Sequence, residues 1–404
     1  MIRSDTIGTA RVLPWQPATA SERYGALDVL RGAALFGVLL VNLLGMFRVP
    51  LSRHILTFHT DPGWANHLAD LLLAGVLEFK AFALFSFLFG VGVAIQIERA
   101  AARRTAVTHF LVRRFLVLLL LGLCHLLLIW NGDILTLYAV CGLLLVPLIR
   151  LPGWALLIAG AVALGLPSLV PLGIPWPSAE FLRANVTEAM RVYGGGGYWK
   201  ILAFRWRETG PFIVPLLLSV LPRTLGLMLW GVAAWRYGVL RQPERHRTLL
   251  FAILAGGGAI GGTVTAVQVL AASSGRSSGL PSVIQELGSS VPLAFAYAAL
   301  LLLWWKHART AALPSLAAAG QMALTNYLLQ SVILGFLFYG YGLGLFGRMG
   351  PAPAALLGIV LYTAQLAMSR VLLRHFRFGP FEWLWRSMTY GRRQPMLQSL
   401  SYSP

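Results

Sequence analysis

Runs of about 20 apolar residues, the length a helix needs to cross the hydrocarbon core of a membrane, recur along the whole chain. Short segments rich in charge, glycine or proline separate these runs. The second run is long for one crossing, so we expect its helix to be either strongly tilted or broken near Glu78, Phe79 and Lys80. The pattern predicts about ten membrane-spanning helices, at residues 26–47, 66–98, 108–130, 133–150, 153–171, 211–235, 248–271, 288–305, 316–339 and 352–373.

Composition indicates the same fold class. Hydrophobic residues make up 57% of the 404 residues, charged residues make up 12%, and the mean hydropathy is +0.71. Soluble proteins carry about twice that share of charge. Cys124 and Cys141 both lie in apolar runs, which argues against a disulfide framework. We therefore predict an all-α, polytopic helical membrane protein.

The lysines and arginines predict how the helices are oriented. Most of them fall in alternate connections, which places those connections and both termini in the cytoplasm. The chain then divides into a cytoplasmic tail at 1–25, a transmembrane domain at 26–375 and a cytoplasmic tail at 376–404. The longest connection, residues 172–210, becomes an outer loop.

The net charge of +19 comes from cations that are clustered between apolar runs and do not form one continuous basic face. Such clusters favour membrane lipids as partners and argue against nucleic acid. A small-molecule substrate and a homo-oligomer are both compatible with this pattern. High arginine and alanine usage, without an apolar targeting segment at the start, favours a multi-pass protein of a bacterial inner (plasma) membrane.

The third and fourth predicted spans form a hairpin whose tight turn, near Asn131 and Gly132, faces outward. His125 precedes this turn and Asp133 follows it. Imidazole titrates near neutral pH and a carboxylate can orient it, so the two residues are candidates for catalytic proton transfer. The alternative is a packing histidine beside an aspartate that caps the next helix.

Other polar groups lie at the ends of the first span. Asp28 and Arg31 are three residues apart, on one face of the inner end. They form either an interfacial ion pair or one wall of a cavity that binds substrate. Asn42, near the outer end, is either an interhelical hydrogen-bonding residue or a substrate contact.

Two cations lie within predicted spans. Arg223 follows Pro222 in the middle of the sixth span, where a guanidinium needs a buried counter-ion or an anionic ligand. Lys80 is similar, but its depth depends on how the second span is broken. Each of them either binds substrate or forms a structural ion pair.

The ninth span carries Asn326 and Gln330 one helical turn apart on one face. Amides at this spacing either contact substrate or join neighbouring helices by hydrogen bonds. The histidines of the first outer loop match no metal-ligand spacing, so we expect no metal site.

Five segments, spread over nearly the whole chain, are distinctive in combination: LDVLRGAALFGVLLVN (27–42), KAFALFSFLFGVG (80–92), RRFLVLLLLGLCHLLLIWNGDILTLYA (113–139), MALTNYLLQSVI (322–333) and GPFEWLWRSMTYG (379–391). Together they resemble the YeiB family of bacterial membrane proteins, which contain a conserved domain of unknown function. One departure is Gln321, where the family pattern has arginine, and this argues against anion binding at that position.

The LDxxRG pattern of the first segment is similar to that of transmembrane acyltransferases, such as heparan-α-glucosaminide N-acetyltransferase. This resemblance implies transfer of an acyl group from cytoplasmic acyl-CoA or acetyl-CoA to a sugar, lipid or other small acceptor at or across the membrane. On this hypothesis His125, steadied by Asp133, removes the proton of the acceptor. Arg223 or Lys80 stabilises the oxyanion, and the donor's phosphates are bound by Arg103, Arg104, Arg113 and Arg114.

The competing hypothesis is a transporter or channel for a small anion or metabolite, because charged groups in proline-containing spans suit that class as well. The absence of a visible internal repeat argues modestly against it. A lipid- or partner-binding scaffold is the third class. Binding of coenzyme A to the purified protein would separate the first hypothesis from the other two.

Overall fold

Apolar, helix-forming residues fold into helices over almost all of the described chain. The structure, a computed structural model, describes residues 25–56, 61–102, 107–169, 173, 176–273, 282–305 and 312–398. The helices of the first half are α1 (Gly25–Asn42), α2 (Leu51–Leu56), α3 (Trp64–Leu72), α4 (Lys80–Ala102), α5 (Val107–Cys124), α6 (Leu135–Leu148), α7 (Gly153–Leu169) and α8 (Ala179–Gly195). Those of the second half are α9 (Tyr198–Glu208), α10 (Val214–Arg236), α11 (Arg247–Ser273), α12 (Ser282–Trp304), α13 (Ala312–Gln321), α14 (Ala323–Phe338), α15 (Pro351–His375) and α16 (Pro380–Tyr390).

The described residues include seven helical stretches long and apolar enough to cross a membrane. The pair Leu313–Gln321 and Ala323–Phe338, bent by 83°, makes an eighth if it is one span. The two further predicted spans correspond to shorter apolar helices, Leu135–Leu148 and Gly153–Gly165. The all-α, multi-pass membrane fold is therefore confirmed, whereas the number of crossings and the cytoplasmic placement of both termini stay predictions.

The long second span is broken. After α3 the chain widens into a π-helical segment, Leu73–Leu77, and the helical backbone is then interrupted at Glu78, whose ψ is 132°. Phe79 has a φ of 59°, a left-handed conformation that side chains larger than glycine rarely adopt. The next residue, Lys80, begins α4. Of the two predicted alternatives for this span, the break near Glu78, Phe79 and Lys80 is confirmed.

The two ends of the bundle differ in chemistry. At one end, here called the arginine-rich end, Arg31, Arg99, Arg114 and Arg386 surround a common cavity. At the other, here called the aromatic end, rings from separate elements pack together: Phe47 on Trp130 at 4.3 Å, Tyr193 on Tyr339 at 4.9 Å, and Phe47 near Tyr339 at 5.8 Å. The charge bias predicts that the arginine-rich end is cytoplasmic.

Two predicted non-membrane segments contain ordered helices. The outer loop 172–210 holds α8 and α9, which cover the aromatic end. The predicted C-terminal tail holds α16, which packs on α5 and α14 at the arginine-rich end. Both segments therefore contribute to the helical domain.

Glycine permits the closest helix contacts in the bundle, as in other membrane proteins. A Cβ atom at Gly90 of α4 would lie 2.0 Å from the carbonyl oxygen of Met228 in α10. A Cβ atom at Gly320 of α13 would lie 1.9 Å from the carbonyl oxygen of Asp28 in α1. Both contacts are with backbone, which has little freedom to move aside.

We expect Gly90→Ala to force α4 and α10 apart and to lower stability by about 1–3 kcal/mol, the usual range for overpacking. Gly258→Ala is the matched control, because a Cβ atom at Gly258 of α11 meets nothing within 4 Å. Melting temperatures of the two variants in one detergent test this. Equal melting temperatures would contradict the assigned α4–α10 contact.

Candidate functional site

A buried histidine–aspartate pair lies at the aromatic end of the α5–α6 hairpin. His125 Nδ1 is 2.8 Å from Asp133 Oδ1, and the two residues are 1% and 2% exposed. The Asp133 carboxylate also accepts hydrogen bonds from the backbone N–H groups of Leu135 at 3.1 Å and Thr136 at 2.6 Å. Asp133 thus caps α6 and orients the imidazole at the same time, so the two interpretations of this residue do not exclude each other.

Local sequence explains how the pair comes together. From His125 to Ile129 the helix widens into a π-helical segment, and Trp130 then adopts an extended conformation. A Cβ atom at Gly132 would lie 2.2 Å from the indole of Trp130, so only glycine allows this tight turn over the ring. The chain then reverses directly into α6, which places Asp133 against the histidine.

The hydrogen bond to Asp133 determines the state of the neutral imidazole. A carboxylate only accepts, so Nδ1 carries the proton and Nε2 is left as an acceptor. Among the described residues, Nε2 is buried and has no hydrogen-bond partner. A buried polar atom without a partner is costly and rare, and a catalytic role is one explanation for it. The arrangement is chemically suited to remove a proton through Nε2 while Asp133 stabilises the resulting imidazolium.

A cavity of about 270 Å³ extends from the arginine-rich end toward this pair. Its lining on α1 runs from Leu27 to Val38, about 16 Å of helix at the usual rise per residue. Tyr138, Ile134 and Tyr327 line its deep end, and the Tyr327 ring centroid is 5.2 Å from that of His125. Tyr327 therefore borders both the cavity and the histidine.

The mouth of the cavity is strongly cationic. Asp28 and Glu382 are its acidic lining residues, and five arginines line it as well: Arg31, Arg99, Arg114, Arg377 and Arg386. The walls between mouth and deep end are mainly apolar, with Leu35, Phe85 and Leu88 among them. The shape suits a long ligand that is anionic at one end and weakly polar along its length.

Three of the predicted site residues line this cavity. Asp28 and Arg31 form an ion pair at 2.9 Å, and both line the cavity, whereas substrate binding by the pair stays a prediction. Arg114 lines the mouth, with its guanidinium 3.6 Å from the ring centroid of Trp385. The neighbouring Arg113 is exposed and does not line it. Arg103 and Arg104 lie outside the described residues.

Lys80 and Arg223 lie instead at the break of the second span. Lys80 Nζ donates a hydrogen bond to the carbonyl oxygen of Ala74 at 2.8 Å. The Arg223 guanidinium is 5.1 Å from the ring centroid of Phe79 and 5.2 Å from that of Phe82. Neither cation lines the cavity, so the geometry favours a structural role for both at the break.

The predicted amide residues lie away from the cavity as well. Asn326 Nδ2 donates to Ser369 Oγ at 2.9 Å, and Gln330 Nε2 donates to Gln365 Oε1 at 2.8 Å. These bonds join α14 to α15, which is the interhelical role that membrane helices commonly give to amides. Asn42 is buried at the end of α1 and does not line the cavity either.

Sequence reasoning missed the contribution of α16. Glu382 accepts hydrogen bonds from the backbone N–H of Thr325, at 2.9 Å, and from its hydroxyl. Burial raises the pKa of the Glu382 carboxyl above its ordinary value. Trp385 Nε1 donates to the Arg114 carbonyl oxygen at 3.0 Å, which fixes α16 against α5. Aromatic and charged residues alternate in GPFEWLWRSMTYG, which is typical of a helix that packs against a bundle. This pattern could have predicted the packing of α16 from the sequence.

Helix α9 packs against the His125–Asp133 turn at the aromatic end. The buried Glu208 carboxylate accepts hydrogen bonds from three side chains: Asn131 at 3.0 Å, Asn185 at 2.6 Å and Tyr193 at 2.7 Å. One turn earlier, Arg205 Nη1 donates to the Leu128 carbonyl oxygen at 3.3 Å. These contacts fix the backbone on both sides of Trp130.

Known proteins similar to this chain cover nearly its full length. An uncharacterized protein of Bacillus subtilis, YxaH, is 36% identical over 409 residues, covering 94% of this chain and 98% of its own. The uncharacterized protein YeiB of Escherichia coli is 32% identical over 403 residues, covering 94% of this chain and 100% of its own. The chain belongs to the YeiB family.

A family model described as a protein of unknown function (DUF418) matches residues 234–392 of this YeiB-family chain. That region runs from the end of α10 to α16, so it contains the C-terminal part of the cavity and not the hairpin. An uncharacterized 39.9 kDa protein of Bacillus acidopullulyticus is 30% identical over 400 residues, covering 94% of this chain and 98% of its own. The family resemblance inferred from the five segments is confirmed.

We expect Glu208→Gln to lower the melting temperature by an amount that corresponds to about 1–3 kcal/mol, because an amide N–H₂ must then face one of three donors. The matched control is Glu188→Gln, which removes an exposed ion pair with Arg207 at 2.9 Å and is expected to cost less than about 1 kcal/mol. Thermal unfolding of both variants decides this. A Glu208→Gln variant as stable as the control would show that Glu208 does not hold the turn.

Proposed function

We propose that this protein is an acyltransferase of the bacterial inner membrane that takes an acyl group from a coenzyme A thioester and transfers it to a hydroxyl or amine of a small acceptor. One observation carries the proposal. A single cavity runs from five arginines to the tyrosine that packs against a buried histidine–carboxylate pair. Phosphate binding and proton transfer, the two tasks of such an enzyme, thus have suitable residues at the mouth of the cavity and, behind Tyr327, just beyond its deep end.

The donor fits the cavity by its chemistry. Guanidinium groups bind phosphate oxygens in pairs, and the mouth offers arginines from α1, α4, α5 and α16. The pantetheine arm, apolar apart from two amides, matches walls that are mainly apolar. In this arrangement Arg31 and Arg114 contact the nucleotide end, while the thioester lies near Tyr138 and Tyr327.

In the proposed reaction, His125 first accepts a proton as a general base and then donates it as a general acid. His125 Nε2 removes the proton from the acceptor hydroxyl or amine as the acceptor oxygen or nitrogen bonds to the thioester carbonyl carbon. When the tetrahedral intermediate collapses, the carbon–sulfur bond breaks and the sulfur takes the proton from Nε2, which gives coenzyme A as the free thiol. Asp133 accepts from Nδ1 throughout and stabilises the imidazolium.

The step requires the Tyr327 side chain to turn aside when both substrates are bound. Its hydroxyl donates to the Gly132 carbonyl oxygen at 3.4 Å and accepts from the Ile134 N–H at 3.3 Å. Both distances exceed the usual range for hydrogen bonds in proteins, so these bonds are weak. Movement of this ring therefore costs little hydrogen-bond energy.

One observation favours the transporter hypothesis as a second candidate. Two helices are broken, at Phe79 and at Met322, and Gln321 beside the second break lines the cavity. Broken helices form the substrate sites of many transporters. Proteoliposomes separate the two functions, since an acyltransferase releases coenzyme A thiol from acetyl-CoA and a transporter accumulates a solute without such release.

We expect Arg114→Gln to weaken coenzyme A binding about 10- to 100-fold, the loss that corresponds to a charge-assisted hydrogen bond of about 1.5–3 kcal/mol. Arg113→Gln is the matched control, because the adjacent side chain does not line the cavity. Calorimetric titration of both variants with coenzyme A tests the donor site. Equal weakening by the two substitutions would indicate general charge attraction in place of a defined site.

We expect His125→Ala to lower the turnover of acetyl-CoA about 100- to 10,000-fold, the usual contribution of a general base, and to leave coenzyme A binding unchanged. Asp133→Asn is expected to slow turnover to a lesser degree, because an amide can orient imidazole but cannot stabilise imidazolium. Thiol release from acetyl-CoA, with a total envelope extract as the acceptor source, provides the assay.

The control for this series is His109→Ala, which removes an exposed histidine from the same helix, at its arginine-rich end. Its turnover should equal that of the unaltered protein. Melting temperatures separate loss of chemistry from loss of fold, since Asp133 also caps α6. Full turnover by a folded His125→Ala variant would overturn the proposed mechanism.

A further inference from the structure

Helix α9 has two faces of different chemistry. Its buried face carries Ile201, Phe204, Arg205 and Glu208, the last two of which hold the ends of the α5–α6 turn. Its exposed face carries two indoles, two cations and one small residue: Trp199, Trp206, Lys200, Arg207 and Ala203. Trp199 is 77% exposed and Trp206 is 58% exposed, which is unusual for the largest apolar side chain in water.

The position of α9 relative to the spans follows from its hydrogen bonds. Tyr198 and Arg205, near its two ends, both donate to the carbonyl oxygen of Leu128, at 3.0 and 3.3 Å. Leu128 belongs to the last turn of the span Val107–Ile129. These two contacts bring α9 against the end of this span, at the level of the headgroup layer of a bilayer, which is about 5–8 Å thick on each side.

The exposed face of α9 continues into a face that lies against lipid. Trp206, Gly210, Val214 and Leu218 follow one another at intervals of four residues and are all exposed. Val214 and Leu218 belong to α10, within the apolar stretch that can cross the membrane. The indole of Trp206 thus stands directly above the hydrocarbon-facing side chains of the same continuous helix.

We propose that the exposed face of α9 is a binding surface for anionic phospholipid headgroups. The indoles occupy the membrane interface, where tryptophan is enriched, and Lys200 attracts the lipid phosphates together with Arg207, which also forms an exposed ion pair with Glu188 at 2.9 Å. This accounts for cations in a loop that the charge bias places outside the cytoplasm. A bound headgroup lies about one helix diameter from the His125–Asp133 turn, across α9. The inference does not depend on the reaction catalysed.

The test uses the full chain in nanodiscs, with its two native cysteines replaced by alanine. Ala203→Cys lies between the two tryptophans, and Ala184→Cys on the exposed, polar side of α8 is the matched control. Each carries an environment-sensitive fluorophore. We expect several-fold weaker quenching by iodide at position 203 than at 184, and strong quenching at 203 by nitroxide-labelled phospholipid. Free access of iodide at 203, or no quenching by the labelled lipid, would overturn the proposal.

Lipid charge is tested in the same discs. Nitroxide-labelled phosphatidylglycerol should quench the fluorophore at 203 more than nitroxide-labelled phosphatidylcholine does, and Lys200→Gln with Arg207→Gln should remove that difference.

If the cysteine-free chain does not fold, native mass spectrometry of the chain with both cysteines retained replaces the fluorescence measurement. The Lys200→Gln, Arg207→Gln variant should then retain less phosphatidylglycerol than an Arg183→Gln, Arg191→Gln variant of α8. Equal retention by the two would contradict the proposal, as would equal quenching by the two lipids at 203.

Discussion

The shared Asp133 carboxylate is the interaction on which the aromatic end of this bundle depends. It accepts from the first amides of α6 and from the His125 imidazole, so one side chain begins a helix and orients a buried base. Burying a carboxylate inside a membrane protein is costly unless every oxygen is satisfied. The three donors meet that requirement, and the π-helical widening before Trp130 brings the imidazole within reach of the carboxylate. Loss of any of these features would leave charge buried without compensation.

At the arginine-rich end, the electrostatic cost is repulsion between positive charges. Several guanidinium groups converge on one cavity, and their mutual repulsion is reduced by two carboxylates and by the indole of Trp385. Helix α16 closes this arrangement from the side, because Glu382 binds the first turn of α14 and Trp385 binds α5. A ligand with several negative charges would relieve the remaining repulsion. The arginines whose distribution predicts the orientation of the protein thus also line this cavity.

Contacts between residues close together in the sequence could be predicted from it, whereas contacts between distant residues could not. His125 and Asp133 lie eight residues apart across a glycine turn, so local geometry sufficed to pair them. Arg113 and Arg114 could not be told apart, because neighbours on a helix point about 100° away from each other and only packing decides which faces the cavity. Glu382 meets Thr325 from 57 positions away, a contact that no local pattern reveals. For the same reason, the sequence left open whether Asn326 and Gln330 join helices or bind substrate.

The most direct test of the central claim is an affinity label, a coenzyme A thioester that carries a bromoacetyl group. With the nucleotide at the arginine-rich end and the thioester at the deep end, His125 Nε2 is expected to displace bromide and form a covalent bond to the label. Peptide mass spectrometry locates the modification, and excess coenzyme A should prevent it. We expect His125 to be modified and excess coenzyme A to block the modification. An unmodified His125 in a folded protein, with labelling confined to the exposed Cys124 regardless of coenzyme A, would contradict it.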